Sequence, residues 1–566
     1  MQSALSRRFF EHRWLIATLA VAAAGLALRM GSLSEGYWFD EVVSAATARL
    51  SFRDLLFRSA FHDSHTPLYY LLLSGWLRLF GETETAARVL SLLLGMSTLG
   101  LVGVWAGRRG GWTSFMAVFL LAVSTFHIHY SVEVRGYGLV AFLVTVYLML
   151  LERMDEDGRF GLAAWVLLGA IQCLAVLASG YTVPLVLAAN IHFFTSRPRS
   201  SVRLLRWALV QAWSVAACSV WLPVLMVQWF RFPGEPVVGQ SSLVALRDVL
   251  LYMGISTVHP SRIIAVVGTA LPLGAVLLGM VTAIRRRSGP AERVKPDPDE
   301  PSLSVSARVQ IAIGMLACLG GPLLAVLVIP TTDTTLPLLV GELARSYFLI
   351  IGALFLLLVG PMVNRGVLAR GHGIAVLPFV LLATSLLLLA LLLLHRPFHP
   401  RQVLFLLPGM AVMAAAAWQP EGMLGKASLT ALVLALAGPS LTERGNAFEP
   451  RTDLRAAAEF VSGRLPTRSP DRPVFVIPMW DRPALEFYLG NDRAEGIMVP
   501  QRVTQASRSA VEVTLVLTRE AFDEREAFRK SAGHLLGPRF QLKDSAQFRG
   551  VYVAVFVRSP RKGANP

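Results

Sequence analysis

The stretch GYWFDEVVSAATARL, Gly36–Leu50, sets two adjacent carboxylates, Asp40 and Glu41, behind three aromatic residues, Tyr37, Trp38 and Phe39. An apolar run, Trp14–Leu28, precedes it, and that run follows Arg7, Arg8 and Arg13. The run is close to membrane-spanning length, which places the acid pair just outside a bilayer. Reading it as a cleaved signal peptide fails, because many further apolar runs follow and no clear small-residue cleavage site closes it. It reads as an uncleaved first helix. Val42–Leu50 then reads as an amphipathic helix returning towards the membrane.

The rest of the chain agrees with a membrane setting. Of 566 residues, 54% are hydrophobic and 16% charged, and the mean hydropathy is +0.54. Soluble domains carry about a quarter charged residues, so this is an integral membrane protein. The net charge of +16, from 53 basic and 37 acidic residues, does not signal nucleic acid. The basic residues gather at the ends of apolar runs, where topology and anionic lipid favour them. Cys173, Cys218 and Cys318 all lie within apolar runs and suggest neither a disulfide framework nor a metal cluster.

Apolar windows fall near 13–30, 86–107, 112–129, 136–152, 160–178, 180–195, 206–227, 261–284, 308–329, 346–363, 373–394, 402–418 and 426–441. The expected fold is therefore an all-α polytopic bundle of about thirteen spans. Arg108, Arg109, Arg197, Arg199, Arg203, Arg206, Arg285 to Arg287, Arg365 and Arg370 fall on one side with the N terminus, which the positive-inside rule makes cytoplasmic. Residues 31–85, 130–135, 229–260, 330–345, 395–401 and everything after about 441 are then extracytoplasmic. Pro290–Pro301 reads as a polar, Pro-rich cytoplasmic loop.

Two units result: a membrane module over 1–441 and an extracytoplasmic α/β domain over 442–566. In the latter, Leu454–Leu465 and Pro483–Leu489 read as helices, and Pro473–Pro478, Val511–Thr518 and Val551–Val557 as strands.

The ionisable residues gather at the outer edge. In the first outer loop Phe52–Phe61 is amphipathic, and Pro67–Phe80, ending at Gly81, is apolar but short, as interfacial segments are. His62, Asp63 and His65 lie between them. HIHYSVEVRGYGL adds His127, His129, Tyr130, Glu133, Arg135 and Tyr137; GELARSYFL adds Glu342, Arg345 and Tyr347; HRPFHPRQVLFLLPG adds His395, Arg396, His399 and Arg401. Charges at such depth are costly unless paired or lining a cavity. An arginine fork there suits phosphate oxygens.

Each feature has a plainer reading. Asp40 and Glu41 suit a helix N-cap and first-turn acid. Arg135 and Arg345 suit snorkelling anchors, and Arg396 and Arg401 suit residues that flank spans. Glu133 is placed to pair with Arg135. His127 and His129 are more often structural than metal ligands.

In order along the chain, FDEVVSA, HTPLYYLLLSGWLRLFGETETAARVLSLLLG (which contains His65 and Arg88), YSVEVRGYGL and RQVLFLLP resemble the GT-C class of integral-membrane glycosyltransferases, close to the protein O-mannosyltransferase and lipid A aminoarabinose transferase group. The resemblance runs over about residues 13–420. It implies transfer of a sugar from a polyprenyl-phosphate donor to a lipid, glycan or protein acceptor on the outer face. It implies Asp40 as catalytic base; Glu41 is then placed to orient either that base or the acceptor. The phosphate and substrate candidates are His65, Arg88, Glu133, Arg135, Tyr137, Arg345, Tyr347, Arg396 and Arg401. Some relatives carry Lys near the position of His65. Some relatives also use a divalent metal with a fuller acidic motif; the first outer loop lacks Asp-x-Asp, so no metal or other cofactor is expected.

Two rivals fit less well. A polysaccharide polymerase or O-antigen ligase usually carries one large late outer loop, whereas 330–345 and 395–401 are short. A secondary transporter predicts inverted repeats and charges deep within spans, and neither is visible.

Overall fold

The computed structural model describes residues 2–61, 65–157, 161–195, 201–218, 376–393, 400–417, 453–465, 471–477, 482–490, 494–496, 510–518, 540–548 and 550–558, with isolated positions 221, 224 and 536. The spans expected at 261–284, 308–329, 346–363 and 426–441, the loop Pro290–Pro301, and His62, Asp63, Glu342, Arg345, Tyr347, His395, Arg396 and His399 lie outside the described residues.

The described chain is mostly helical. Helix α1 spans Gln2–Met30, α2 Phe39–Ala48, α3 Phe52–Phe61, α4 Leu68–Phe80, α5 Glu84–Gly107, α6 Gly111–Val123, α7 Thr125–Tyr130, α8 Tyr137–Asp157, α9 Leu162–Ala178, α10 Val183–Thr195, α11 Ser201–Cys218, α12 Val376–Leu393 and α13 Leu407–Ala417. Three described segments are long and apolar enough to cross a membrane: Arg13–Met30, Glu84–Gly107 and Tyr137–Asp155. At 1.5 Å per residue, α5 and α8 reach roughly 30–36 Å, the thickness of a hydrocarbon core. Other apolar helices are shorter, Leu68–Phe80 and Leu162–Ala178 among them.

Burial separates centre from rim. Helix α8 is covered on most sides, and Val140, Val144, Tyr147 and Leu148 are buried. Helix α1 exposes Leu15, Ile16, Leu19 and Met30, the face that lipid would cover. Arg29, near its end, is fully buried. Its guanidinium donates to Ser131 Oγ at 2.8 Å and to the carbonyls of Gly25 at 2.6 Å and Ala122 at 3.1 Å, with His127 Nδ1 at 2.8 Å. The bond to Ala122 satisfies a buried carbonyl that the end of α6 leaves without an intrahelical partner. Arg29 went unremarked in the sequence, yet it ties three segments together.

Two expected spans begin or break differently. The window 112–129 is two helices, because Ser124 ends α6 and caps α7, its side chain accepting from His127 N at 3.3 Å. The window 402–418 opens with a 3₁₀ segment, Pro400–Leu406, before α13. Cys173 and Cys218 are free, buried thiols with their sulfurs 3.1 Å apart, packed between α9 and α11.

In the tail, α14 spans Leu454–Arg464 and α15 Arg482–Leu489. Strands β1 (Val474–Ile477), β2 (Glu495–Gly496), β3 (Glu512–Thr518), β4 (Phe540–Phe548) and β5 (Val551–Arg558) form one mixed sheet in the order β2-β1-β3-β5-β4. Strand β1 runs parallel to β2 and β3, and β5 runs antiparallel to β3 and β4. The apolar core is continuous from the membrane helices into this unit, through Tyr37, Leu485, Ala457 and Val553.

Candidate active site

The two adjacent acids have different fates. Helix α2 begins at Phe39 with Trp38 as N-cap, so Asp40 lies inside the first turn and is not the cap. Glu41 occupies the third helical position and reaches back to Trp38 N at 3.4 Å, as an acid there commonly does. It is completely buried. Arg88 meets it with Nε–Oε1 at 3.0 Å and Nη2–Oε2 at 2.6 Å, and Val134 N donates to Oε1 at 3.1 Å. Arg88 also donates to the carbonyls of Leu33 at 3.2 Å, Gly36 at 2.9 Å and Glu35. All five of its N–H donors are occupied. Arg88 was a phosphate candidate and Glu41 a catalytic one; the structure places both in a closed, dry pair that holds the loop before α2.

Asp40, one residue earlier, points elsewhere. Its side chain is 13% exposed against 0% for Glu41, so Asp40 is the acid of the pair within reach of a substrate. Arg401 Nη1 lies 3.0 Å from its Oδ2, and Arg135 Nη2 lies 3.6 Å from the same atom. These partners are 361 and 95 positions away in the chain. Arg135 is held by Ser44 Oγ at 3.5 Å and Tyr70 Oη at 3.3 Å, with the two ring nitrogens of His65 at 3.3 and 3.4 Å from its Nη2. The Arg401 guanidinium lies over the Tyr137 ring, 5.8 Å from its centroid. Tyr137 in turn meets Tyr130 edge-on at 5.1 Å. Glu133 is fully buried, with His129 Nε2 3.7 Å from its Oε2.

The structure therefore brings Asp40, His65, Arg135, Tyr137 and Arg401 together, with Glu133 behind them. Ser44 and Tyr70, which orient Arg135, went unremarked in the sequence, although both lie in motifs already noted. His127 is turned away into the Arg29 network. Among the described residues, no three His, Cys, Asp or Glu side chains converge as metal ligands do.

The loop before α2 is held from its other side by the tail. Tyr488 Oη accepts from Tyr37 N at 2.6 Å and donates to Glu84 Oε1 at 3.4 Å. Burial pushes the Tyr37 and Tyr488 phenols above their ordinary range, with carboxylates nearby adding to the shift, so both stay protonated near neutrality.

Two arginines around one reachable carboxylate, at the edge of an apolar bundle, suit a substrate that is itself an anion in a membrane. Residues 64–227 match the family model for dolichyl-phosphate-mannose-protein mannosyltransferases. The stretch resembling that mannosyltransferase family takes in His65, Arg88, Glu133, Arg135 and Tyr137, and leaves Asp40, Glu41 and Arg401 outside. The chain thus resembles the GT-C glycosyltransferases on sequence as well as in the order of its motifs. Among solved structures, ArnT from Cupriavidus metallidurans is 16% identical in the apo state, over 96% of this chain and 98% of that one, with a TM-score of 0.45. The same protein bound to undecaprenyl phosphate is 17% identical, over 96% and 98%, with a TM-score of 0.40. The oligosaccharyltransferase AglB from Archaeoglobus fulgidus, in complex with an inhibitory peptide and a dolichol-phosphate, is 13% identical, over 99% of this chain and 75% of that one, with a TM-score of 0.47. No curated protein matches the chain.

Proposed function

We propose that the protein is a membrane glycosyltransferase that moves a sugar from a polyprenyl-phosphate donor to an acceptor hydroxyl on the extracytoplasmic face. The observation that carries this reading is the Asp40 carboxylate bracketed by Arg401 and Arg135 at the outer end of the bundle. The mannosyltransferase match and the lipid phosphates named with ArnT and AglB support the donor class.

The chemistry follows from the charges. Incoming phosphate oxygens compete with Asp40 for the two guanidiniums, whose forks suit them. Two donors stand beside them: Arg401 Nε and the Tyr137 hydroxyl are buried and carry no hydrogen bond among the described residues. Asp40, released from the arginines, accepts the acceptor's proton as that oxygen attacks the anomeric carbon. The bond from anomeric carbon to phosphate oxygen breaks, and the lipid phosphate leaves with one more negative charge, which Arg135 and Arg401 stabilise. One base acting in line requires no covalent intermediate, so transfer inverts the anomeric centre. Arg345, Tyr347 and Arg396 are further candidates for the phosphate side, and Glu41 positions α2. The cytoplasmic N terminus, the outer placement of residues 442–566 and their division from 1–441 belong to the same proposal.

The test is transfer of radiolabelled sugar from a panel of polyprenyl-phosphate sugars by purified protein, comparing wild type with Asp40→Asn. Turnover is expected to fall by about 10²–10⁴ with donor binding retained. A folded Asp40→Asn protein that turns over like wild type ends the base assignment. The arginines supply the charge, so a divalent chelator is expected to leave turnover unchanged; loss restored by added metal would overturn that part.

A further inference from the structure

The loop that delivers Asp40 is clamped from two sides. On the membrane side, Arg88 holds the carbonyls of Leu33, Glu35 and Gly36 and the carboxylate of Glu41. On the other side stands the tail, more than 400 positions later. Tyr488 Oη takes the hydrogen of Tyr37 N at 2.6 Å. Arg455 donates to the Ser34 carbonyl at 3.3 Å, and its Nη1 lies 3.3 Å from Glu84 Oε1. Phe487 meets the buried Tyr37 ring edge-on at 5.9 Å, and the Arg49 guanidinium, just past the end of α2, covers Phe487 at 4.6 Å. The tail thus touches both ends of α2. Tyr37 is three residues before Asp40, so a shift in its peptide turns the first helical turn, and with it the carboxylate.

We infer that the C-terminal α/β unit is a working part of the catalytic loop, and that Tyr488 is a positioning residue which sets Asp40 through the Tyr37 peptide. This rests on the reading of Asp40 as base. The Tyr488 hydroxyl is at once the acceptor for Tyr37 N and the donor to Glu84, which anchors the first turn of α5. The Tyr37 amide has a buried side chain above it, so losing that acceptor leaves an N–H without a replacement. The geometry also explains why so small an α/β unit shares its apolar core with the membrane helices instead of standing apart.

The test uses the full chain in detergent or nanodiscs. Tyr488→Phe deletes the hydroxyl and keeps the ring. Arg455→Gln, on a side chain 40% exposed, is a second variant that folding should tolerate. Tyr552→Phe makes the Tyr488 change on β5, away from the loop, and is expected to behave as wild type. Hydrogen–deuterium exchange of peptides over 33–48 should speed up by about 3–10-fold in Tyr488→Phe and rise in Arg455→Gln, with α8 peptides unchanged. The kcat of Tyr488→Phe should fall by a similar factor, with the donor KM within about twofold of wild type. In an Asp40→Asn background the same change should cost nothing more, because an effect exerted through Asp40 is not additive with its loss.

Unchanged exchange at 33–48 in both variants, or exchange raised along the whole chain, would overturn the inference. So would wild-type kcat despite local loosening, or an equal loss in the Asp40→Asn background. If exchange loosens locally while Asp40→Asn itself turns over like wild type, the clamp stands and the base assignment falls.

Discussion

At the scale of single residues, adjacent acids do opposite work because the helix turns them about 100° apart. Glu41 faces the interior and pairs with Arg88; Asp40 pairs with Arg401 and keeps part of its side chain exposed. A buried bidentate pair is costly to break from one side only, since the remaining charge is stranded. Arg88→Ala is expected to destabilise the protein by about 3–5 kcal/mol, read as a lowered apparent unfolding temperature in detergent. Arg88→Lys should recover little, because an ammonium offers three donors where five are in use. The sequence shows which residues are ionisable and lie at the ends of apolar runs, and its resemblance to the glycosyltransferases points to Asp40. It does not show that Arg88 belongs to Glu41, 47 positions away, or that Arg401 belongs to Asp40. Such pairings depend on which helices meet, and nothing in local spacing carries that.

At the scale of elements, strongly periodic segments were legible. Helices α3, α4, α14 and α15 and strands β1, β3 and β5 fall within a few residues of their expected positions. Strand β4 was not: FQLKDSAQF lies along the sheet edge with most of its residues wholly or partly exposed, so it lacks the apolar run that marks β3 and β5. The break at Ser124 was missed because apolar residues continue on both sides of it, and one capping hydroxyl decides the matter. Helix packing also sets the Arg135 loop. A Cβ on Gly95, in α5, would lie 2.3 Å from Ser131 Cβ, at the start of the turn leading to Glu133 and Arg135. Gly95→Ala is expected to cost about 1–3 kcal/mol and to lower donor turnover by displacing Arg135. Wild-type turnover with a lowered unfolding temperature would show that the loop relaxes without losing its arginine.

At the scale of the whole molecule, composition pointed to a membrane protein, and arginine placement predicts its orientation. The tail's orientation has a direct check. Val511 is half exposed at the start of β3 and lies outside the site. A Val511→Cys protein is expected to react with a membrane-impermeant maleimide in intact cells; reaction only after permeabilisation would invert the topology. The native Cys173 and Cys218 are buried, and the labelling is done in a Cys318→Ala background, which removes the third thiol.

The hydrogen bond between Tyr37 and Tyr488 joins residues 451 positions apart. Synthesis at about 5–20 residues per second puts roughly 20–90 seconds between the appearance of one partner and the other. For that interval the nascent protein carries its acid with one side of the supporting loop still open. The part of the chain that closes it is made long after the acid, so a ribosome that stalls before residue 488 leaves behind a protein with its acid but without its brace.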